Sequence, residues 1–73
     1  MKATLEFNLP KEREAFETAV NSYRWRSVVF DMDNYLRGKI KYAPDDMPDE
    51  FLKALEMART ELHELITSEN LTL

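Results

Sequence analysis

Ser22–Tyr42, which reads SYRWRSVVFDMDNYLRGKIKY, decides the fold. Its apolar residues recur at helical spacing, and Trp25, Val28, Val29, Met32, Leu36 and Ile40 fall within an arc of about 120° at 100° per residue. The stretch therefore predicts a long amphipathic helix whose apolar arc faces a core. Gly38, near its end, costs about 1 kcal/mol relative to Ala and weakens only the last turn. Upstream, Asn21-Ser22 offers a break and a new start, which separates a short first helix carrying Leu9, Phe16, Ala19, Val20 and Tyr23 on one face. Asn8-Leu9-Pro10 supplies a capping side chain and a first-turn proline, so that helix starts near residue 10. Before it, Ala3, Leu5 and Phe7 alternate with Lys2, Thr4, Glu6 and Asn8, the period of a short half-buried β-strand.

Downstream, Ala43-Pro44-Asp45-Asp46-Met47-Pro48 is the only loop-like stretch, and Asp46-x-Pro48 repeats the capping pattern of Asn8-x-Pro10. A third helix follows, with Phe51, Leu55, Ala58, Leu62, Leu65 and Ile66 on its apolar face and fraying near Asn70. Leu71-Thr72-Leu73 alternates again, as a very short strand able to pair with residues 3–7 of the same or another chain. The expected fold is mainly α: a short N-terminal β-strand and three helices, forming one domain over residues 1–73.

The chain has 73 residues, no Cys and one Gly, which excludes thiolate metal sites, cysteine nucleophiles and glycine-rich phosphate loops. One core of this size barely offsets the ordering entropy of about 1.5 kcal/mol per residue, and no disulfide or metal helps. A homo-oligomer is the expected remedy. No apolar run reaches the ~18 residues of a membrane span, and residues 1–20 lack the apolar segment of a secretory signal, so an intracellular protein is expected. Formal charge is −4 overall, but it divides unevenly: −1 for residues 1–20, +3 for 21–42 and −6 for 43–73. A net acidic chain suits duplex DNA poorly, since affinity there comes mainly from neutralised phosphates. The basic middle helix can still hold a small anion.

Catalytic motifs fail on inspection. His63-Glu64 opens a metalloprotease helix motif, but position 67 is Thr67 instead of the second His. Asp31-Met32-Asp33-Asn34 opens like a calcium loop and continues with Tyr35, Leu36 and, at the twelfth position, Tyr42. Asn70-Leu71-Thr72 is a formal glycosylation sequon without a secretory signal. Asp45, Asp46, Asp49 and Glu50 stand where a helix dipole favours acids, or offer a basic partner an acidic surface. No enzyme, metal or cofactor is expected.

The most suggestive feature is a second face of the middle helix. Tyr23, Arg26, Phe30, Asp33, Arg37 and Lys41 lie within about 80° of one another, mixing three cations with two aromatic rings. Guanidinium groups fork onto phosphate oxygens and rings stack on bases, so this face suits a nucleotide; its bland alternative is a solvated face with an Asp33–Arg37 intrahelical ion pair. Arg59 breaks the apolar arc of the third helix, about 40° from Leu55, and needs an anionic partner. Asp31, Asp33, an acid of a neighbouring subunit or a bound phosphate each qualify.

Lys2–Pro10 (KATLEFNLP), Asp31–Tyr42 (DMDNYLRGKIKY) and Leu62–Leu65 (LHEL) resemble a group of short proteins encoded in bacteriophage genomes. The resemblance implies a setting, the cytoplasm of an infected host cell, and transfers no functional residues. It implies an accessory factor that counters host defence by binding. The leading expectation is sequestration of a nucleotide signal, cyclic or otherwise, at sites between subunits, with Tyr23, Arg26, Phe30, Arg37, Lys41 and Arg59 as ligand-binding residues. The alternative is an acidic inhibitor docking its 43–69 helix on a basic host defence or nucleic-acid-binding protein. A structural or regulatory phage protein without a ligand is a third.

Overall fold

The computed structural model describes residues 1–73 as three helices without strands: α1 (Arg13–Val20), α2 (Ser22–Lys41) and α3 (Asp49–Ser68). α2 and α3 form an antiparallel hairpin joined by the Tyr42–Pro48 turn, where the Met47 N–H donates to the Pro44 carbonyl at 3.0 Å. α1 joins α2 through Asn21 alone. There the Ser22 hydroxyl donates to the Ala19 carbonyl at 2.9 Å, a side-chain bond that competes with the backbone ladder and marks the break expected at Asn21-Ser22.

The helix limits of α2 and α3 follow the sequence pattern, but their starts do not use the expected caps. No side chain caps any of the three helices. Pro48 itself precedes α3, its carbonyl accepting from the Phe51 and Leu52 N–H groups, and Asp49 and Glu50 sit in the first turn where the dipole favours acids. α1 begins at Arg13, three residues later than expected, behind a turn in which the Asn8 N–H donates to Glu12 Oε1 at 3.3 Å and the Glu12 N–H to the Asn8 carbonyl at 2.8 Å.

Both expected strands are absent. Residues 2–8 run without regular structure, and Phe7 turns back to meet Phe16 edge-on, with ring centroids 5.8 Å apart. A period of two specifies a strand only where another backbone completes the ladder, and none does. Leu71–Leu73 is taken elsewhere by the end of α3. Asn70 adopts a left-handed conformation (φ 56°), the Leu71 N–H donates to the Ile66 carbonyl at 3.0 Å and the Asn70 N–H to the Thr67 carbonyl at 2.9 Å. This Schellman turn swings the tail back beside the first half of α2, where Leu71 and Ile66 line a common hollow.

The main correction concerns the core. Only Leu36 is buried, at 8% exposure, whereas Trp25, Val28 and Met32, placed on the core arc by periodicity, remain 64%, 59% and 52% exposed. One partner helix covers one stripe. On α2 that stripe is Val29, Asp33, Leu36 and Ile40; on α3 it is Leu52, Leu55, Arg59, Leu62 and Ile66. The radius of gyration is 17.7 Å, against about 11 Å for a compact chain of this length. The accessible surface of 6850 Å² exceeds by about 2,000 Å² that of a compact monomer of 8.6 kDa.

Two substitutions check this packing. Leu36→Ala should destabilise the fold by about 2–4 kcal/mol in denaturant titration, because it empties the one closed position. Gly38→Ala should stabilise it by about 0.5–1 kcal/mol, since a Cβ there meets nothing within 4 Å and the position is helical.

Candidate functional site

Position 33 falls between Val29 and Leu36 on the seam of α2, so its carboxylate points at α3 and must find donors there. Arg59 and His63, four residues apart and hence on one face of α3, provide them. Arg59 Nε donates to Asp33 Oδ1 at 2.9 Å, and His63 Nε2 meets the same oxygen at 2.6 Å. The Asp33 side chain is 13% exposed and that of Arg59 32%. The Arg59 hydrogen bond, followed by that from His63, holds the Asp33 carboxyl below its ordinary value against the opposing effect of burial. An ionised Asp33 only accepts, so Nε2 is the protonated nitrogen of His63 in this contact. Arg59 is thus paired, as its place in the apolar arc requires, and its partner lies within the chain. The Asp33–Arg37 pair of the solvated-face alternative does not form. His63 is the member that its sequence position did not single out; its spacing of four from Arg59 is the signal that links them.

His63 Nε2 is committed to Asp33, and no hydroxyl is hydrogen-bonded to the ring. A shallow groove of about 710 Å³ runs past this cluster, bordered by Glu56, Arg59, Thr60, His63 and Thr67. No group of three His, Asp or Glu side chains is arranged to hold a metal ion. The Asp33–Arg59–His63 arrangement fixes helix register.

The six sequence-predicted ligand residues do not converge. Tyr23, Arg26 and Phe30 line one hollow of about 350 Å³ with Ser27, Asp31 and Leu73. A more apolar hollow of about 540 Å³ adjoins it, sharing Tyr23, Arg26 and Leu73 and adding Trp25, Val29, Ile66 and Leu71. Arg37 and Lys41 border neither hollow. At 1.5 Å rise per residue they lie about 16 Å and 22 Å along the helix from Arg26. Arg59 is held at Asp33. Arg26, Arg37 and Lys41 have no acidic partner, while the Lys41 ammonium rests 5.4 Å from the Tyr42 ring. Two neighbours escaped the sequence reading. Arg24 stacks its guanidinium 5.6 Å from the Tyr23 ring and donates from Nε to the Tyr23 hydroxyl at 3.0 Å, and Leu73 reaches the hollow through the turn at Asn70.

Compared with protein families, curated proteins and solved structures, the chain has no significant match. No helix is long and apolar enough to cross a membrane.

The Asp33 contacts carry a pH dependence. Asp33 binds its proton less readily folded than unfolded, so its contribution is present above the unfolded carboxyl value and fades as pH falls through the lower folded one. Asp33→Asn should cost about 1–3 kcal/mol at neutral pH and flatten the acid limb of a stability–pH profile. Equal acid slopes for both proteins would contradict the assignment.

Proposed function

We propose that this chain is a non-catalytic binding protein of the phage kind its sequence resembles. It acts as an assembly of copies in the host cytoplasm and sequesters a small phosphate-bearing nucleotide. The supporting observation is the pair of adjoining hollows between the first half of α2 and the C-terminal tail, where the rings of Tyr23, Trp25 and Phe30 and the acid-free Arg26 border an apolar recess. Apolar walls with a few fixed polar groups are the usual make-up of a small-molecule site. A base would lie against Tyr23 or Phe30, with phosphate oxygens on Arg26. Arg37 and Lys41, about two screening lengths away at physiological salt, attract the anion weakly, and Arg59 supports the hairpin from its place on Asp33.

A second reading, the acidic inhibitor, is favoured by the eight acids after residue 43, none of which is ion-paired. On that reading the outer side of α3 docks on a basic host protein. Capture of such a protein that is lost on reversing Glu56, Glu61 and Glu64 would select it.

Calorimetry with cyclic and linear nucleotides tests the first reading. Wild type should bind at least one of them. Arg26→Ala should lower that affinity about ten- to hundredfold, the loss of one charge-assisted contact of about 1.5–3 kcal/mol, while Arg37→Ala at about 0.15 M salt should change it less than about threefold. Absence of binding across the panel counts against the nucleotide reading, and equal losses at both arginines would move the site along the helix.

A further inference from the structure

Six of the uncovered apolar residues of α2 and α3, Trp25, Val28, Met32, Tyr35, Phe51 and Leu65, fall on one side of the hairpin, while Tyr23, Phe30 and Met57 lie elsewhere on it. On α2, Trp25, Val28, Met32 and Tyr35 lie to one side of the seam stripe, and Tyr23, Arg26, Phe30, Arg37 and Lys41 lie to the other. On α3, Phe51, Ala54, Ala58 and Leu65 likewise lie to one side of the residues that meet α2. Because the two helices run antiparallel, these two flanks share a face, opposite the hollow of Tyr23, Arg26 and Phe30; Trp25, at the end of the apolar face, also borders the adjoining hollow.

We propose that a second copy of this chain covers that face, giving a twofold-symmetric four-helix bundle in which α2 of each copy lies across α3 of the other. The inference deepens the assembly named above by assigning its surface and pairing. Area supports it first. At more than half exposure each, Trp25, Tyr35 and Phe51 leave about 350 Å² open, and Val28, Met32 and Leu65 bring the stripe to about 600 Å². Ala54, Ala58 and the stems of Lys39 and Glu61 extend it toward the roughly 800 Å² a side of a stable interface. Charge selects the pairing. On the open face α2 contributes Lys39, with Arg24 at its edge, and α3 contributes Glu50 and Glu61, so laying α2 on the partner's α3 brings opposite charges together. Laying α2 on the partner's α2 opposes like charges.

Geometry fixes the register. Asp33 is level with Arg59 and His63, which puts Val28 level with Leu65 and Tyr35 with Ala58. A twofold axis along the bundle preserves those levels between copies, seats the bulky Tyr35 over the small Ala58 of the partner, and leaves both Tyr42–Pro48 turns at one end.

The chain has no Cys, so Val28→Cys and Leu65→Cys proteins each carry a single thiol, in both cases at a position more than half exposed. The two are mixed, allowed to exchange subunits and oxidised, after circular dichroism has shown wild-type helicity in each. The expected dominant product is a disulfide between a Val28→Cys chain and a Leu65→Cys chain. Prevailing linkage of the Val28→Cys chain to itself would overturn the pairing, and a monomeric wild type at about 100 µM in sedimentation would overturn the second copy altogether. Nucleotide calorimetry on the same samples keeps the ligand reading separate. A cross-linked dimer that binds no nucleotide fails the nucleotide reading alone, and a monomer that binds one fails this inference and the assembly it rests on while leaving nucleotide binding intact.

Discussion

Two helices can hide only the stripe along which they touch, and α2 has an apolar arc wider than one stripe. Val29, Leu36 and Ile40 are turned to α3, while Trp25, Val28 and Met32 on the same arc stay open to solvent. Every other feature of the chain adjusts to that shortage of cover. α1 does not relieve it, because of the other helices it meets only α2, beyond a one-residue break, and does not reach α3; the molecule is 56 Å long. The N-terminal arm meets α1 through Phe7 on Phe16, so it too covers none of the open arc.

Within the covered stripe, Asp33 has a different task from its apolar neighbours. A leucine there would pack about as well, and buried ion pairs are often no more stabilising than the apolar residues that could replace them. What the carboxylate adds is register: it accepts from Arg59 and His63 on successive turns of α3, and a slip of one turn would leave Asp33 or Arg59 unmatched. The same contact divides the surface. One flank of the hairpin is apolar; the other carries the unpaired arginines and the hollows beside Tyr23 and Phe30.

Periodicity made the helices legible, including the break at Asn21 and the ends of α2 and α3, because an amphipathic pattern is a local property of the chain. The strands at 2–8 and 71–73 were not, since a strand exists only with a partner and the chain supplies none. Burial was misjudged at Trp25, Val28 and Met32 for a related reason: an apolar arc says that cover is wanted without saying that this chain provides it. The candidate site suffered from a projection. Viewed down the helix axis, Tyr23, Arg26, Phe30, Arg37 and Lys41 share a direction, but the axis spreads them over about 27 Å, and only the first three share a hollow. Asp33 as the partner of Arg59 was among the readings open from the residues; the part played by His63 needed the level of α3 against α2.

The central claim is that this hairpin reaches its stable state only when its apolar face is covered by another copy. The most direct measurement is the thermal unfolding midpoint from about 1 to about 100 µM, read alongside the mass in solution. Linkage between folding and association predicts a midpoint that climbs with concentration, together with a mass that is a multiple of 8.6 kDa. A cooperative transition at one fixed temperature throughout, from a particle of single-chain mass, would contradict it.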